Sequence, residues 1–196
     1  MKAFKTNLLL IVILGGFALI FVGCGGGSGG AATIQGTFVD SPVEGLQYET
    51  PTQSGITDAE GGFECQGGET ITFSIGDIVL GSGSCNQIMT PIDLVGEAFN
   101  ETHETVKNIA RLLLSLDDDG DWDNGISITE EIRNECEGRS IDFAQSRGEF
   151  GNDPDVQNLF DVLNALGVFT DGGVRTLCSA VQAQSHLRDT LGQTAP

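Results

Sequence analysis

Glu101 to Glu130 reads ETHETVKNIARLLLSLDDDGDWDNGISITE, and the fold turns on how this stretch is divided. In its first half Val106, Ile109, Ala110, Leu112, Leu113 and Leu116 recur at helical spacing, which predicts a helix over 101–116. Five acids then crowd into Asp117 to Asp123, and helical character returns over 129–137. The order is therefore helix, acidic loop, helix.

Working outward, the chain after Pro91 stays helical in pattern. Asp153-Pro154 supplies an N-cap with proline at the first helical position, and Val156, Leu159, Phe160, Leu163 and Leu166 form an apolar face that Gly167 ends. A last helix is expected from Ser179, carrying Val181, Leu187 and Leu191. These four helices form an α-helical domain over 91–196, with enough apolar positions for one core.

Before Pro91 the period changes. Ile34, Gly36 and Phe38 share one parity, Leu46 and Tyr48 another, and Ile71, Phe73 and Ile75 alternate with Thr and Ser. Turn signals at Asp40-Ser41-Pro42, at 58–63 and at 66–69 separate these runs. A small antiparallel β-domain of five to seven strands is expected over 33–90.

Charge narrows the function. The 196 residues carry 28 acidic against 9 basic side chains, a net charge of −19, and no basic cluster interleaved with aromatics reverses that field locally. Nucleic acid is excluded as a partner, and cations fit.

One constellation could hold a cation. Read as a twelve-residue loop, Asp119 to Glu130 places carboxylates at positions 1, 3, 5 and 12 (Asp119, Asp121, Asp123, Glu130), the carbonyl of Gly125 at 7, Ile126 at 8 and Ser127 at 9. This is the EF-hand calcium pattern, in which alternate loop oxygens wrap a hard cation and the last acid binds through both oxygens. Asn124 stands where the pattern has glycine and is expected to take positive φ in its place. The register beginning at Asp117 puts Trp122 at that turn and is rejected. With one loop, calcium affinity should be weak, roughly 10⁻⁴ to 10⁻³ M, which suits a structural ion. The competing description is a solvated acidic loop.

At the N-terminus, Lys2 and Lys5 precede an uncharged run from Leu8 to Val22 of about 15 residues, short of the roughly 20 that span a bilayer. Phe21-Val22-Gly23-Cys24 resembles the lipobox of bacterial lipoproteins, although Phe21 replaces the usual leucine. That resemblance implies a signal peptide over 1–23 and lipidation of Cys24, palmitate among the acyl groups. An uncleaved anchor and an ordinary secretory signal are the alternatives. Gly25 to Gly30 belong to a flexible tether over 24–32, reaching roughly 13 Å as a coil. Gly25 after the cysteine, by the sorting rule of Gram-negative lipoproteins, implies the outer membrane within the cell envelope, on its periplasmic or surface face.

The run 36–46, with Tyr48-Glu49-Thr50, Gly55 to Asp58 and Gly61-Gly62-Phe63, resembles the transthyretin-like regulatory β-sandwich attached to carboxypeptidases and adhesins. The resulting expectation is an α+β chain: a small antiparallel β-sandwich, then a helical domain with an EF-hand-like helix–loop–helix. Residues 113–128, Asp40 to Val43 and His186-Leu187 together resemble a group of exported Gram-negative lipoproteins, which implies no particular activity.

Besides Cys24 there are four cysteines, and an even number in an exported chain suggests two disulfides. Of the three pairings, the boundary near residue 90 favours Cys65 with Cys85 and Cys136 with Cys178. A zinc site is the rival, but no CxxC exists, and the only histidines are His103 and His186.

No G-x-S-x-G or phosphate-binding loop occurs, and His103 and His186 read as helix-surface residues. Asp40 and Asp58 could pair as carboxylates, but both lie at turns, where aspartate is common for backbone reasons. The expectation is a non-enzymatic, lipid-anchored envelope protein with a structural calcium, binding another protein or a polysaccharide. The alternative is an accessory or degenerate hydrolase-associated domain acting with a separate catalytic chain.

Overall fold

A computed structural model describes residues 32–194. The signal peptide, Cys24 and nearly all of the tether lie outside the described residues.

Eight strands precede the first long helix: β1 (Thr33–Phe38), β2 (Val43–Glu44), β3 (Gln47–Glu49), β4 (Ser54–Ile56), β5 (Gly62–Gln66), β6 (Thr70–Ile75), β7 (Ile78–Ser84) and β8 (Ile88–Met89). Then follow α1 (Glu104–Ser115), β9 (Ile126–Ser127), α2 (Glu130–Glu135), α3 (Arg147–Gly151), α4 (Pro154–Leu166) and α5 (Ala180–Thr194). The chain is α+β.

A four-stranded sheet runs β4-β3-β6-β7, a three-stranded one β5-β1-β8, and β2 pairs with β9. In β6 the alternation does what the sequence predicts: Ile71, Phe73 and Ile75 are buried, whereas Thr70, Thr72 and Ser74 are not. Phe73 meets Phe38 of β1 at 4.7 Å and Phe63 of β5 at 5.3 Å between ring centroids, so aromatic packing joins the two larger sheets. The Cys65–Cys85 disulfide, with Cα atoms 6.2 Å apart, ties β5 to the end of β7. Two pairings, β1 with β8 and β2 with β9, are parallel, not antiparallel as expected.

Helix α1 is buried on every side from Val106 to Ser115, including Lys107, Asn108 and Arg111. Lys107 is paired with Glu104, and Asn108 Nδ2 donates to the carbonyls of Phe143 and Gln145, which anchors the loop before α3. Helix α4 begins as predicted, with the Asp153 carboxylate accepting from the amides of Asp155 and Val156, Pro154 at the first position and Gly167 left-handed at φ 65°. Two residues expected on apolar faces are instead exposed: Leu166, the last residue of α4, at 57 %, and Val181, in the first turn of α5, at 71 %. Among the described side chains of α5, Ala183 and Leu187 are buried.

One hydrophobic cluster runs from Phe38 to Leu187 across both halves, and all described residues belong to one compact unit. Val43 of β2 pairs with Ile126 of β9, beyond α1. Gly45 makes that approach possible, since at φ 88° it lies against the Ile128 carbonyl, where a Cβ would collide.

The second expected disulfide is not formed: Cys136 and Cys178 are free thiols. Cys136 is buried at the C-terminal end of α2, its carbonyl accepting from the Asp77 amide in the β6–β7 turn. Cys178 lies against α1, its amide donating to Ser115 Oγ. Each cysteine is fixed by a different partner element, so sharing the later half of the chain does not make them neighbours. Burial pushes the Cys136 thiol up to about 12 and the Cys178 thiol up to about 11, so both are protonated near neutrality.

Candidate metal centre

The acidic loop is held at both ends. Behind its start, Arg175 donates to the backbone carbonyls of Asp117 and Asp118 while pairing with Asp171 at 3.0 Å. At its far end, Ile126 and Ser127 are strand-paired to Val43 and Glu44. The β2–β9 ladder thus takes up the apolar position 8 of the loop and buries Ile126.

Within this frame the six expected ligands have different partners. Asp119 is exposed; its Oδ1 accepts from the Asp121 amide and its Oδ2 from Asn124 Nδ2, both at 2.9 Å. The Asn124 hydrogen bond leads in holding the Asp119 carboxyl below the usual range. Asp121 accepts from the Asp123 amide at 3.3 Å, capping a 3-10 turn over Trp122–Asn124. Asp123 is exposed. Gly125 follows at φ 117°, and Ser127 Oγ donates to Glu44 Oε2 at 3.1 Å. Glu130 is the exposed first residue of α2, which Thr129 caps.

Two features depart from the regular EF-hand form. Asn124 is not at positive φ; it sits in the 3-10 turn, and the left-handed conformations fall on Gly120 and Gly125. Glycine has no Cβ penalty there, so the chain turns where turning is cheapest. Among the described residues no three His, Cys, Asp or Glu side chains converge as a metal-holding group. Asp119 and Asp121 each spend one carboxylate oxygen on a loop amide, and Asp119 spends its other on the Asn124 side chain.

Asp117, rejected as a loop residue on spacing, is the unusual acid of the segment. It is only 1 % exposed; Oδ1 accepts from the Ser127 amide at 2.9 Å, while Oδ2 has no partner. Burial raises it to about 6, and the neighbouring Asp119 carboxylate adds to the rise against the lowering effect of the Ser127 amide. A buried, half-satisfied carboxylate beside a second one is stabilised by positive charge. The donors here are all oxygen, which suits a hard cation.

Beside the loop lies a cavity of about 480 Å³ lined by Ser41, Trp122, Asp123, His186 and Asp189, among others. Ser41 is at φ 60°, the only non-glycine with positive φ among the described residues. Its Oγ donates to the Trp122 carbonyl at 2.9 Å and lies 3.1 Å from His186 Nε2, which is also 3.2 Å from the Asp40 carbonyl. A carbonyl only accepts, so Nε2 carries its hydrogen and donates to both oxygens. The serine proton is committed to Trp122, so the contact is a tie between the β1–β2 turn, the acidic loop and α5. It lacks the polarity of a serine held by a basic imidazole. The Trp122 indole donates to the Leu114 carbonyl at 2.8 Å, which fixes the ring.

Sequence reasoning missed Asp117, Glu44 and this tie, since each depends on a partner far along the chain. Asp40 and Asp58 do not form a pair: Asp40 is wholly buried, whereas Asp58 is exposed and accepts from the Glu60 and Gly62 amides. His103 serves as the N-cap residue of α1 without a side-chain capping bond.

Compared with known protein families, curated proteins and solved structures, the chain matches none.

Proposed function

We propose that the protein is a non-enzymatic, lipid-anchored component of a Gram-negative cell envelope in which the loop Asp119–Glu130 holds a structural calcium ion. In this reading a sandwich-like β-module precedes a helical part with an EF-hand-like helix–loop–helix. The single observation that carries it is the buried, unpartnered Oδ2 of Asp117 beside the Asp119 carboxylate. Asp119, Asp121, Asp123, the Gly125 carbonyl, Ser127 and Glu130 are the ligands, and Asp117 adds an inner oxygen. Bound calcium would supply the positive charge that offsets their mutual repulsion. The chain itself frames the set: Arg175 holds the carbonyls of Asp117 and Asp118 just before the loop, and the β2–β9 pairing holds Ile126 and Ser127 within it.

Calorimetric melting with calcium and with chelator tests this. A ligand that binds only the folded state adds RT ln(1 + [L]/Kd), about 1.4 kcal/mol at tenfold excess over the dissociation constant. Calcium should raise the midpoint, magnesium should raise it less, and Asp119→Ala or Glu130→Gln should remove the effect. Equal midpoints with millimolar calcium and with chelator would leave a solvated acidic turn. The anchor is tested separately: Cys24→Ser should release the protein from membranes. The held-out domain would present its surface to another envelope protein or a polysaccharide, which a pull-down from envelope extracts identifies.

A further inference from the structure

A second cavity of about 420 Å³ opens between α4 and the segment leading into α5. Its walls include Val156, Phe160, Val174 and Leu177, and Arg111 reaches it from α1. Arg111 is only 6 % exposed, and no carboxylate lies within ion-pairing distance of it among the described residues. Its Nε donates to the Cys178 carbonyl at 2.9 Å, and Nη1 donates to Asn108 Oδ1 at 3.2 Å and the Arg147 carbonyl at 3.0 Å. Every one of these acceptors is neutral. Glu104, the acid whose charge acts on it, is bonded instead to Lys107 Nζ and the Arg147 amide. Nη2 has no acceptor among the described residues.

Burial without a counter-charge is costly for a guanidinium, which stays charged at neutral pH. Phe150, 5.4 Å from the guanidinium carbon to its ring centroid, supplies one polarisable face and no anion. The space beside Nη2 is kept open by Gly151, where an added Cβ would stand 3.2 Å from that nitrogen. Gly151 is the last residue of α3 and is not at positive φ, so its backbone does not require glycine. The other arginine at the cavity, Arg175, is already paired with Asp171.

We propose that this cavity binds a small organic carboxylate with an apolar body, its carboxylate on Arg111 Nη2 and its body against Val156, Phe160, Val174 and Leu177. One unpaired cation calls for one negative charge, the apolar walls call for a hydrocarbon body, and the volume falls within the range of small-molecule pockets. A dianion such as phosphate fits worse, because Asp161 also lines the cavity and the whole chain is strongly acidic.

Calorimetric titration of the folded chain with hexanoate, hexanamide and inorganic phosphate tests the assignment. Hexanoate should bind at least about tenfold more tightly than the isosteric amide, the difference a charge-assisted hydrogen bond makes. Gly151→Ala, whose Cβ would stand 3.2 Å from Nη2 and crowd the approach to it, should weaken hexanoate by about tenfold while the protein stays folded. Val174→Asp, at a wall residue that is 79 % exposed, should weaken it likewise by repulsion. Equal binding of acid and amide, full affinity in Gly151→Ala, phosphate binding as tightly as hexanoate, or no saturable binding would each overturn the proposal. The cavity is independent of the calcium loop, so chelator should leave these affinities unchanged.

Discussion

Asp40 and Thr57 show how differently a buried polar residue can be treated. Thr57 is 2 % exposed and fully used: its hydroxyl donates to the Val43 carbonyl at 2.7 Å and accepts from the Leu46 amide at 2.9 Å, closing the turn after β2. Thr57→Val leaves both groups unpaired and should cost about 2 kcal/mol or more in urea unfolding. An unchanged midpoint would mean that water reaches the turn. Asp40 is fully buried, yet neither carboxylate oxygen has a partner, and burial holds its carboxyl well above the usual range. The folded state therefore keeps a proton that the unfolded chain releases near pH ~3.9. Stability from this group is complete below that pH and is lost as pH rises through the higher folded value. Asp40→Asn should flatten the fall in melting midpoint from about pH 4 upward, and a slope equal to that of the parent would refute it.

At the scale of elements, α4 is stabilised at its start by Asp153, which also accepts from Gln145 Nε2 at 2.6 Å. Asp153→Ala should cost about 1 kcal/mol and speed hydrogen exchange in the first turn of α4. Exchange unchanged there would assign the helix start to Pro154 alone. This helix was legible in the sequence because its signals are local: a capping acid, a proline, a 3.6-residue period and a closing glycine. So was β6, whose alternation needs no knowledge of its neighbours. By contrast, β2 and β9 contain two residues each, too few for any period, and exist only because Val43 and Ile126 meet. The cysteines divide in the same way. Cys65 and Cys85 lie on either side of one sheet hairpin, whereas the pairing of Cys136 with Cys178 assumed that the later half of the chain packs only on itself. Of the candidate metal centre, spacing located the loop, but not Asp117, whose distinction is a missing hydrogen bond, nor the glycines that take its turns.

Across the whole molecule, the shared hydrophobic cluster makes the two halves interdependent. Residues 32–90 alone would lose the helical share of the common hydrophobic cluster and leave Val43 without its strand partner, so that fragment should give the poorly dispersed amide spectrum of an unfolded chain. A well-dispersed spectrum would show that the strands need no helices. In the intact protein, Trp122 fluorescence and far-ultraviolet circular dichroism should report one coincident transition, since the single tryptophan lies where both halves touch. Replacing Cys65 and Cys85 with serine should lower stability by roughly 3 kcal/mol, given the length of chain the bond closes.

Ser41 meets His186 across 145 residues of chain, and Glu44 meets Ser127 across 83. Contacts this distant carry a large closure entropy that must be met before they return any energy, so folding should be slow for a chain of this size. While the chain is being synthesised, the turn after β1 has to wait for α5, and β2 has to wait for β9. The strands made first are among the last to be completed, and a holding chaperone is needed most in that interval.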